Sequence, residues 1–216
     1  MNLLKIKNFP LNQYYQEIYN KKIIVLHHTV SGDNHTGDVN WWINTPEKVG
    51  TPYIIDRNGD VVETFDPKFW IHHLGIKQET LKKYGSSVTN NKLNQISIGI
   101  ELDSWGALTF KNGKYYTFSG KEIPLEKVQI YDKPFRDSKY YEKYTNEQLN
   151  SLKELLLKLK NDFKINLNYF DNMFETNSLA LKGYHGVFTH VSYREDKSDC
   201  HPQPELIQML KSIKDN

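Results

Sequence analysis

The 216-residue chain contains a single cysteine, Cys200, which excludes a framework of intrachain disulfides. Such frameworks stabilise small secreted proteins that cannot bury a sufficient core, and a chain of this length is long enough to bury one without them. The amino-acid sequence therefore gives no indication of an oxidising compartment.

Long apolar runs are also missing. No stretch approaches the ~18 consecutive apolar residues of a membrane-spanning helix, and residues 1–10 lack the apolar segment of a secretory signal. We therefore expect a protein that is cytoplasmic on synthesis and does not insert into a membrane. If it acts outside the cell membrane, another factor has to release it.

Neither charge sign is in excess. Lys and Arg together number 28 against 26 acidic residues, for a net charge of +2, and the basic residues are scattered along the chain. A nucleic-acid-binding protein normally carries a basic arm or stripe, so we expect no nucleic-acid partner. Repeats, low-complexity tracts and Pro/Gly/Ser linkers are absent as well, which favours a single monomeric domain over residues 1–216.

The distribution of apolar residues predicts an α/β fold with a mixed central β-sheet flanked by helices. A strand buried on both faces, an Asn-Gly hairpin and a helix with a capping box support this prediction. The predicted strands are 23–26, 53–55, 61–62, 96–103 and 184–189, and the predicted helices are 38–44, 145–163 and 204–214. Residues 106–144 are expected to form an insertion on the surface, with a hairpin around Asn112-Gly113.

Two histidines follow predicted strands, and the cysteine lies in a polar loop behind the second one. His27 lies where the first strand ends, His190 lies where the last strand ends, and Cys200 comes ten residues after His190. Sites in α/β sheets collect beyond the carboxyl ends of strands. Zinc at a catalytic site takes three protein ligands from His, Cys and carboxylates. Taken alone, Cys200 would be a small buried hydrophobic residue.

A carboxylate interrupts the strand at 96–103. Ile96, Ile98, Ile100 and Leu102 alternate with Ser97, Gly99, Glu101 and Asp103. Glu101 therefore lies on a face of small residues, which we expect to leave room for a ligand. A carboxylate in that position is a candidate proton acceptor, and its alternative is a solvated edge position.

Taken together, these fragments resemble the zinc-dependent N-acetylmuramoyl-L-alanine amidases. The resemblance lies in His27-His28-Thr29 after an apolar strand, in Ser97-Ile98-Gly99-Ile100-Glu101, and in a late His with a Cys or Asp about eight to ten residues further on. That family includes phage endolysins, cytosolic anhydromuropeptide amidases and peptidoglycan recognition proteins. The resemblance implies Zn²⁺ as cofactor, His27, His190 and Cys200 as its ligands, and Glu101 as the catalytic carboxylate.

Two further residues are implied by the same resemblance. His73, in His72-His73-Leu74-Gly75, matches the histidine of a Trp-His-Ala-Gly stretch in the substrate groove of the family. Ser198 stands two residues before Cys200, where the family has a Lys or Thr that stabilises the oxyanion. His201 receives no role from the sequence.

The implied activity is hydrolysis of the amide between N-acetylmuramic acid and L-alanine in peptidoglycan, by a phage or prophage endolysin released through a holin. A cytosolic enzyme that recycles anhydromuropeptides is the nearest alternative, and it differs in substrate pool and not in chemistry. A non-catalytic peptidoglycan-binding module or a virion component of the same fold would also agree with the sequence. A cysteine ligand would argue against the binding module.

Overall fold

A computed structural model describes residues 1–32 and 34–216. The strands are β1 (Leu3–Lys5), β2 (Ile23–His28), β3 (Tyr53–Ile55), β4 (Val61–Glu63), β5 (Ser97–Leu102), β6 (Thr109–Lys111), β7 (Lys114–Tyr116), β8 (Glu122–Ile123), β9 (Val128–Phe135), β10 (Ser138–Glu142) and β11 (Gly186–Thr189). The α-helices are α1 (Thr36–Asn44), α2 (Gln78–Lys83), α3 (Asn90–Ile96), α4 (Asn146–Phe163), α5 (Ser178–Leu181) and α6 (Pro204–Ile213).

A six-stranded sheet in the order β1-β4-β3-β5-β2-β11 forms the centre of the fold. The neighbours β3, β5, β2 and β11 run parallel, while β4 is antiparallel to β3 and parallel to β1. The sheet is therefore mixed, and the predicted α/β fold is confirmed. All six residues of β2 are buried, as expected of a central strand whose faces are both covered.

Helices cover the two faces of this sheet. On one face, leucines of α4 and α6 pack with Leu26, Ile55 and Ile100 in the main core cluster. On the other face, Val39 and Trp42 of α1 pack with alternate residues of the hairpin strands, including Ile54 and Val62. This alternation fixes the sheet register, because a shift of one residue would exchange the two sets of side chains.

Helix α4 begins where the sequence predicts it. The Thr145 hydroxyl accepts from the Gln148 N–H, and the Gln148 side chain accepts from the Thr145 N–H. This capping box satisfies two N–H groups that the first helical turn leaves free. The short helices α2, α3 and α5 were not predicted, because a helix of fewer than two turns shows little periodicity.

The segment 106–144 contains more regular structure than the sequence indicates. Strands β6, β7 and β8 form one small antiparallel sheet, and β9 with β10 forms a second. The predicted hairpin at Asn112-Gly113 is present between β6 and β7.

The hairpin β9–β10 is packed against the loop that precedes α6, and His201 makes that contact. The His201 ring stacks between Tyr141 and Tyr144, at 4.8 Å and 4.5 Å between ring centroids. Its Nδ1 lies 2.8 Å from the Tyr131 hydroxyl. His201 therefore joins the insertion to the loop that carries Asp199 and Cys200.

Within the described part of the chain, no helix combines the length and the apolar character needed to span a bilayer.

Candidate metal centre and active site

Three neighbouring strands bring the candidate residues to one edge of the sheet. The register pairs His27 of β2 with Glu101 of β5, so both side chains project from the same face. Leu26 is paired with Thr189 at the end of β11, and His190 follows directly. His27, Glu101 and His190 therefore meet at the carboxyl ends of parallel strands, where α/β proteins place their sites.

Asp199 completes a cluster with the two histidines. Asp199 Oδ2 lies 3.2 Å from His27 Nδ1 and 2.9 Å from His190 Nδ1. All three residues are buried, and one ligand atom from each lies within 4.8 Å of the others. His, His and carboxylate form a donor set that catalytic zinc sites use.

Cys200, expected as the third ligand, lies outside this cluster. Its Sγ donates to the carbonyl oxygen of His27 at 3.1 Å, and its side chain is part of the main core. The Asp199 carboxylate contacts the rings of both histidines, while the Cys200 thiol contacts His27 only at its backbone carbonyl. The structure therefore corrects the sequence expectation by one position: the carboxylate, and not the thiol, meets His27 and His190.

A chain of hydrogen bonds fixes the tautomer of His27. The Ser97 hydroxyl donates its only hydrogen to the Leu93 carbonyl at 2.7 Å, so it accepts from His73 Nε2 at 2.8 Å. His73 Nδ1 is then an acceptor, and His27 Nε2 donates to it at 2.9 Å. Neutral His27 therefore has an unprotonated Nδ1, which is the atom that faces Asp199.

The tautomer of His190 is fixed in the same way, with Nδ1 unprotonated, but by a different hydrogen-bond partner. Its Nε2 lies 2.9 Å from the Leu74 carbonyl, which can only accept, so this nitrogen carries the hydrogen. Nδ1 of neutral His190 is then a lone-pair donor directed at Asp199 Oδ2. Backbone carbonyls and side chains commonly hold metal-binding histidines in this way.

These residues fit a zinc ion. Lone pairs of His27 Nδ1, His190 Nδ1 and Asp199 Oδ2 converge, and such a group needs a shared cation. Burial lowers the pKa of His27 to about 4, which favours the neutral, metal-binding form of this ring near neutral pH. Burial opposes ionisation of Asp199, but the two histidines outweigh it and hold the pKa of Asp199 well below its usual range.

Glu101 lies beside this cluster without a partner of its own. Its Oε2 is buried, and no donor in residues 1–32 or 34–216 reaches it. Burial, followed by the negative charges of Asp199 and Asp38, raises the pKa of Glu101 well above its usual value. A carboxyl group in this state can take up and return a proton, as general acid–base catalysis requires.

The face of small residues below Glu101 is filled by protein and not left open for a ligand. A Cβ on Gly99 would lie 2.6 Å from Thr51 Cγ2 and 3.1 Å from His73 Nδ1. Glycine at this position is therefore what allows His73 to approach His27. Both ring nitrogens of His73 are engaged, which makes it a partner of His27 and leaves no free N–H for an oxyanion.

Lys197, and not Ser198, faces the central cavity. Ser198 lines a neighbouring cavity, and its side chain contacts Tyr141. Lys197 lies two residues before Asp199, the spacing at which the resemblance to the amidases implies an oxyanion-stabilising residue. The shift from Cys200 to Asp199 therefore moves this expectation from Ser198 to Lys197. In the sequence, the order Lys-Ser-Asp at 197–199 already places a lysine two residues before a possible aspartate ligand.

The central cavity has a volume of about 480 Å³ and is open to solvent on one side. His27, Glu101, His190, Lys197 and Asp199 line its floor and one wall. Its outer part includes Trp41, whose side chain is 59% exposed. A flat, exposed ring in the lining of an open cavity suits contact with a sugar face.

A buried His, His, Asp cluster with a carboxylate beside it, at the strand ends of a mixed sheet, is the kind of site that zinc hydrolases use. The sequence profile of the N-acetylmuramoyl-L-alanine amidase family (Amidase_2) matches residues 18–203. The chain belongs to this family. A comparison with curated protein sequences gave no significant match.

Solved structures with the same fold include three proteins of low sequence identity. The N-acetylmuramoyl-L-alanine amidase LysC from Clostridium intestinale URNW is 14% identical, with a TM-score of 0.50 over 98% of this chain and 96% of that chain. The catalytic domain of XlyA is 14% identical, with a TM-score of 0.53 over 99% and 97%. The Ph2119 endolysin from Thermus scotoductus MAT2119 bacteriophage is 13% identical, with a TM-score of 0.50 over 98% and 97%.

Proposed function

We propose that the protein is a zinc-dependent N-acetylmuramoyl-L-alanine amidase that acts as an endolysin. The observation that carries this proposal is the convergence of three lone pairs, from His27, His190 and Asp199, beside the unpartnered carboxyl of Glu101. Membership of the amidase family supports the reaction, and the endolysin folds among the similar structures support the biological role.

The three clustered residues would hold the zinc ion. When bound, zinc supplies Lewis acidity, which lowers the pKa of water and polarises a carbonyl oxygen. His73 and the Leu74 carbonyl hold the two imidazole rings so that each presents Nδ1 to the metal. Preorganised ligands of this kind raise metal affinity, because little order has to be imposed on binding.

Glu101 moves the proton in this scheme. It accepts a proton from the attacking water and passes it to the nitrogen of L-alanine as the amide bond breaks. The products are the free lactyl carboxylate of N-acetylmuramic acid and a peptide with an N-terminal alanine amine. The Lys197 ammonium lies in the same cavity and stabilises the negative charge that develops on the carbonyl oxygen.

The decisive experiment is the release of alanine amino groups from purified sacculi, with and without a chelator. Chelator-sensitive release by the wild type supports the proposal. A Glu101→Gln variant keeps the shape of the side chain, and we expect it to retain zinc while losing about 10²–10⁴-fold in rate. Normal turnover in that variant would assign the proton transfer to another residue.

The same assay separates the competing functions. Zinc and wall binding without alanine release would favour a peptidoglycan-binding module. Release from soluble anhydromuropeptides but not from sacculi would favour a recycling enzyme. Sedimentation at assay concentrations tests the expected monomer.

A further inference from the structure

A second cavity opens beside the metal centre. Its volume is about 340 Å³, and it lies between the turn that joins β9 to β10 and the loop 194–198. Lys197 lines both this cavity and the central one. The two cavities therefore adjoin at Lys197.

Arg136 supplies an unused donor to this second cavity. It occupies the turn between β9 and β10 with a φ of 51°. Its Nε is buried and has no hydrogen-bond partner in the described ranges, and its Nη2 makes only a 3.5 Å contact with the Thr176 hydroxyl. A buried donor left in this state is unfavourable unless a ligand completes it.

None of the described acidic side chains around the cavity forms an ion pair with Arg136, although the pKa of Glu195 is lowered by Lys83 and, to a smaller extent, by the charge of Arg136. Glu195 Oε1 accepts from Lys83 and from the Tyr84 hydroxyl, and Asp196 forms a two-point ion pair with Arg194. Asp137 is exposed on the turn. Across the part of the chain that the structure describes, no carboxylate forms an ion pair with Arg136 or Lys197. The cavity is lined by Arg136 and Lys197 together with three carboxylates, and two of these carboxylates are ion-paired with Lys83 and Arg194, which lie outside the lining.

From this geometry we propose that the second cavity is a subsite for a carboxylate of the peptide stem, with Arg136 as its recognition residue. The proposal rests on the proposed function, because it takes peptidoglycan as the substrate. The lactyl carboxyl of N-acetylmuramic acid is consumed in the amide, so the free carboxylates of a muropeptide lie on its peptide. A planar guanidinium matches a carboxylate through two parallel hydrogen bonds.

Calorimetric titration with a stem peptide tests the subsite without requiring turnover. The probes are the tetrapeptide L-Ala-D-isoGlu-L-Lys-D-Ala as the free acid and the same peptide with its carboxylates amidated. We expect wild-type protein loaded with zinc to bind the free acid about 10- to 100-fold more tightly. Arg136→Gln should abolish this preference, and Arg136→Lys should keep part of it.

Lys133→Gln is the matched control. Lys133 lies on the same hairpin, is exposed and does not line the cavity, and its substitution removes the same charge. It should retain the wild-type preference. Equal preference in Arg136→Gln and wild type would overturn the subsite, provided that thermal unfolding shows both proteins folded.

The failures of the two proposals are distinguishable. If alanine is released from sacculi but the wild type does not discriminate between the two peptides, the amidase stands and the subsite is wrong. If the preference depends on Arg136 but no alanine is released, the subsite stands as part of a binding protein and the amidase proposal is wrong.

Discussion

His73 Nδ1 lies 2.9 Å from His27 Nε2, and this contact decides which nitrogen of His27 is free to bind a metal. The other nitrogen of His73 donates to Ser97, which is anchored on the Leu93 carbonyl. Because the Leu93 carbonyl can only accept, this chain of hydrogen bonds fixes where the hydrogens lie on Ser97, His73 and His27 in turn. His73 is thus a positioning residue for His27.

Replacing His73 with Phe should weaken zinc binding. The ring shape is largely kept, but His27 Nε2 loses its acceptor, so the Nδ1 lone pair is no longer enforced. We expect about a 10- to 100-fold loss of zinc affinity, measured by competition with a chromogenic chelator. His72→Gln, at the adjacent position with Tyr15 as hydrogen-bond partner, is the control and should keep wild-type affinity. Unchanged affinity in His73→Phe would remove its positioning role.

Asp199 and Cys200 provide a sharper test, because they are adjacent and only one faces the histidines. Asp199→Ala should lower zinc affinity by more than about a hundredfold, beyond the loss that an outer partner causes. Cys200→Ser should retain zinc, since Sγ points to the His27 carbonyl, at a cost of about 1–2 kcal/mol in the free energy of unfolding. Metal analysis of both variants decides the matter, and loss of zinc only from Cys200→Ser would restore the thiol as ligand.

Lys197 and Ser198 form a second adjacent pair. Lys197→Ala should reduce kcat on muropeptides by about 10²–10³-fold, the usual effect of losing one oxyanion-stabilising group. Ser198→Ala should leave kcat close to that of the wild type, because Ser198 lines the neighbouring cavity and contacts Tyr141. Steady-state kinetics with both variants checks this pair, and the opposite ranking would return the role to Ser198.

Much of the fold follows from strong local patterns. The apolar run of β2, the alternation of β5 and the capping box of α4 each specify an element and its buried face. Because β5, β2 and β11 end at one edge, His27, Glu101 and His190 could be brought together from sequence alone. The small sheets within 106–144 could not, since their short strands depend on pairing that local patterns do not encode.

The choice between Asp199 and Cys200 needed the structure for a different reason. Both residue types bind zinc, and both lie at acceptable spacing from His190. Asp199 Oδ2 contacts the two histidines, whereas Cys200 Sγ contacts the carbonyl of His27, so a difference of one position separates a candidate ligand from a core residue. The same one-position shift moves the expected oxyanion-stabilising residue from Ser198 to Lys197.

Lys21 gives the fold a pH dependence of its own. Its side chain is buried two residues before β2 begins, and it donates to the carbonyls of Gln95 and Ser97. Burial lowers the pKa of Lys21 from 10.5 to about 7. Between these two values the unfolded chain binds a proton at Lys21 that the native protein does not, so the free energy of unfolding rises with pH. The slope from this group approaches about 1.4 kcal/mol per pH unit, and it vanishes below the lower value and above the upper one.

Lys21→Met should remove that slope, although it also leaves two carbonyls without their donor. We expect the unfolding free energy of the wild type, relative to the variant, to grow steadily from about pH 7 to about pH 10 in urea titrations. Lys22→Met replaces the neighbouring lysine, which is not fully buried, and controls for the loss of a positive charge from the unfolded chain. If the wild type and Lys21→Met give parallel curves, Lys21 keeps its proton on folding, and its carbonyl partners then outweigh the cost of burial.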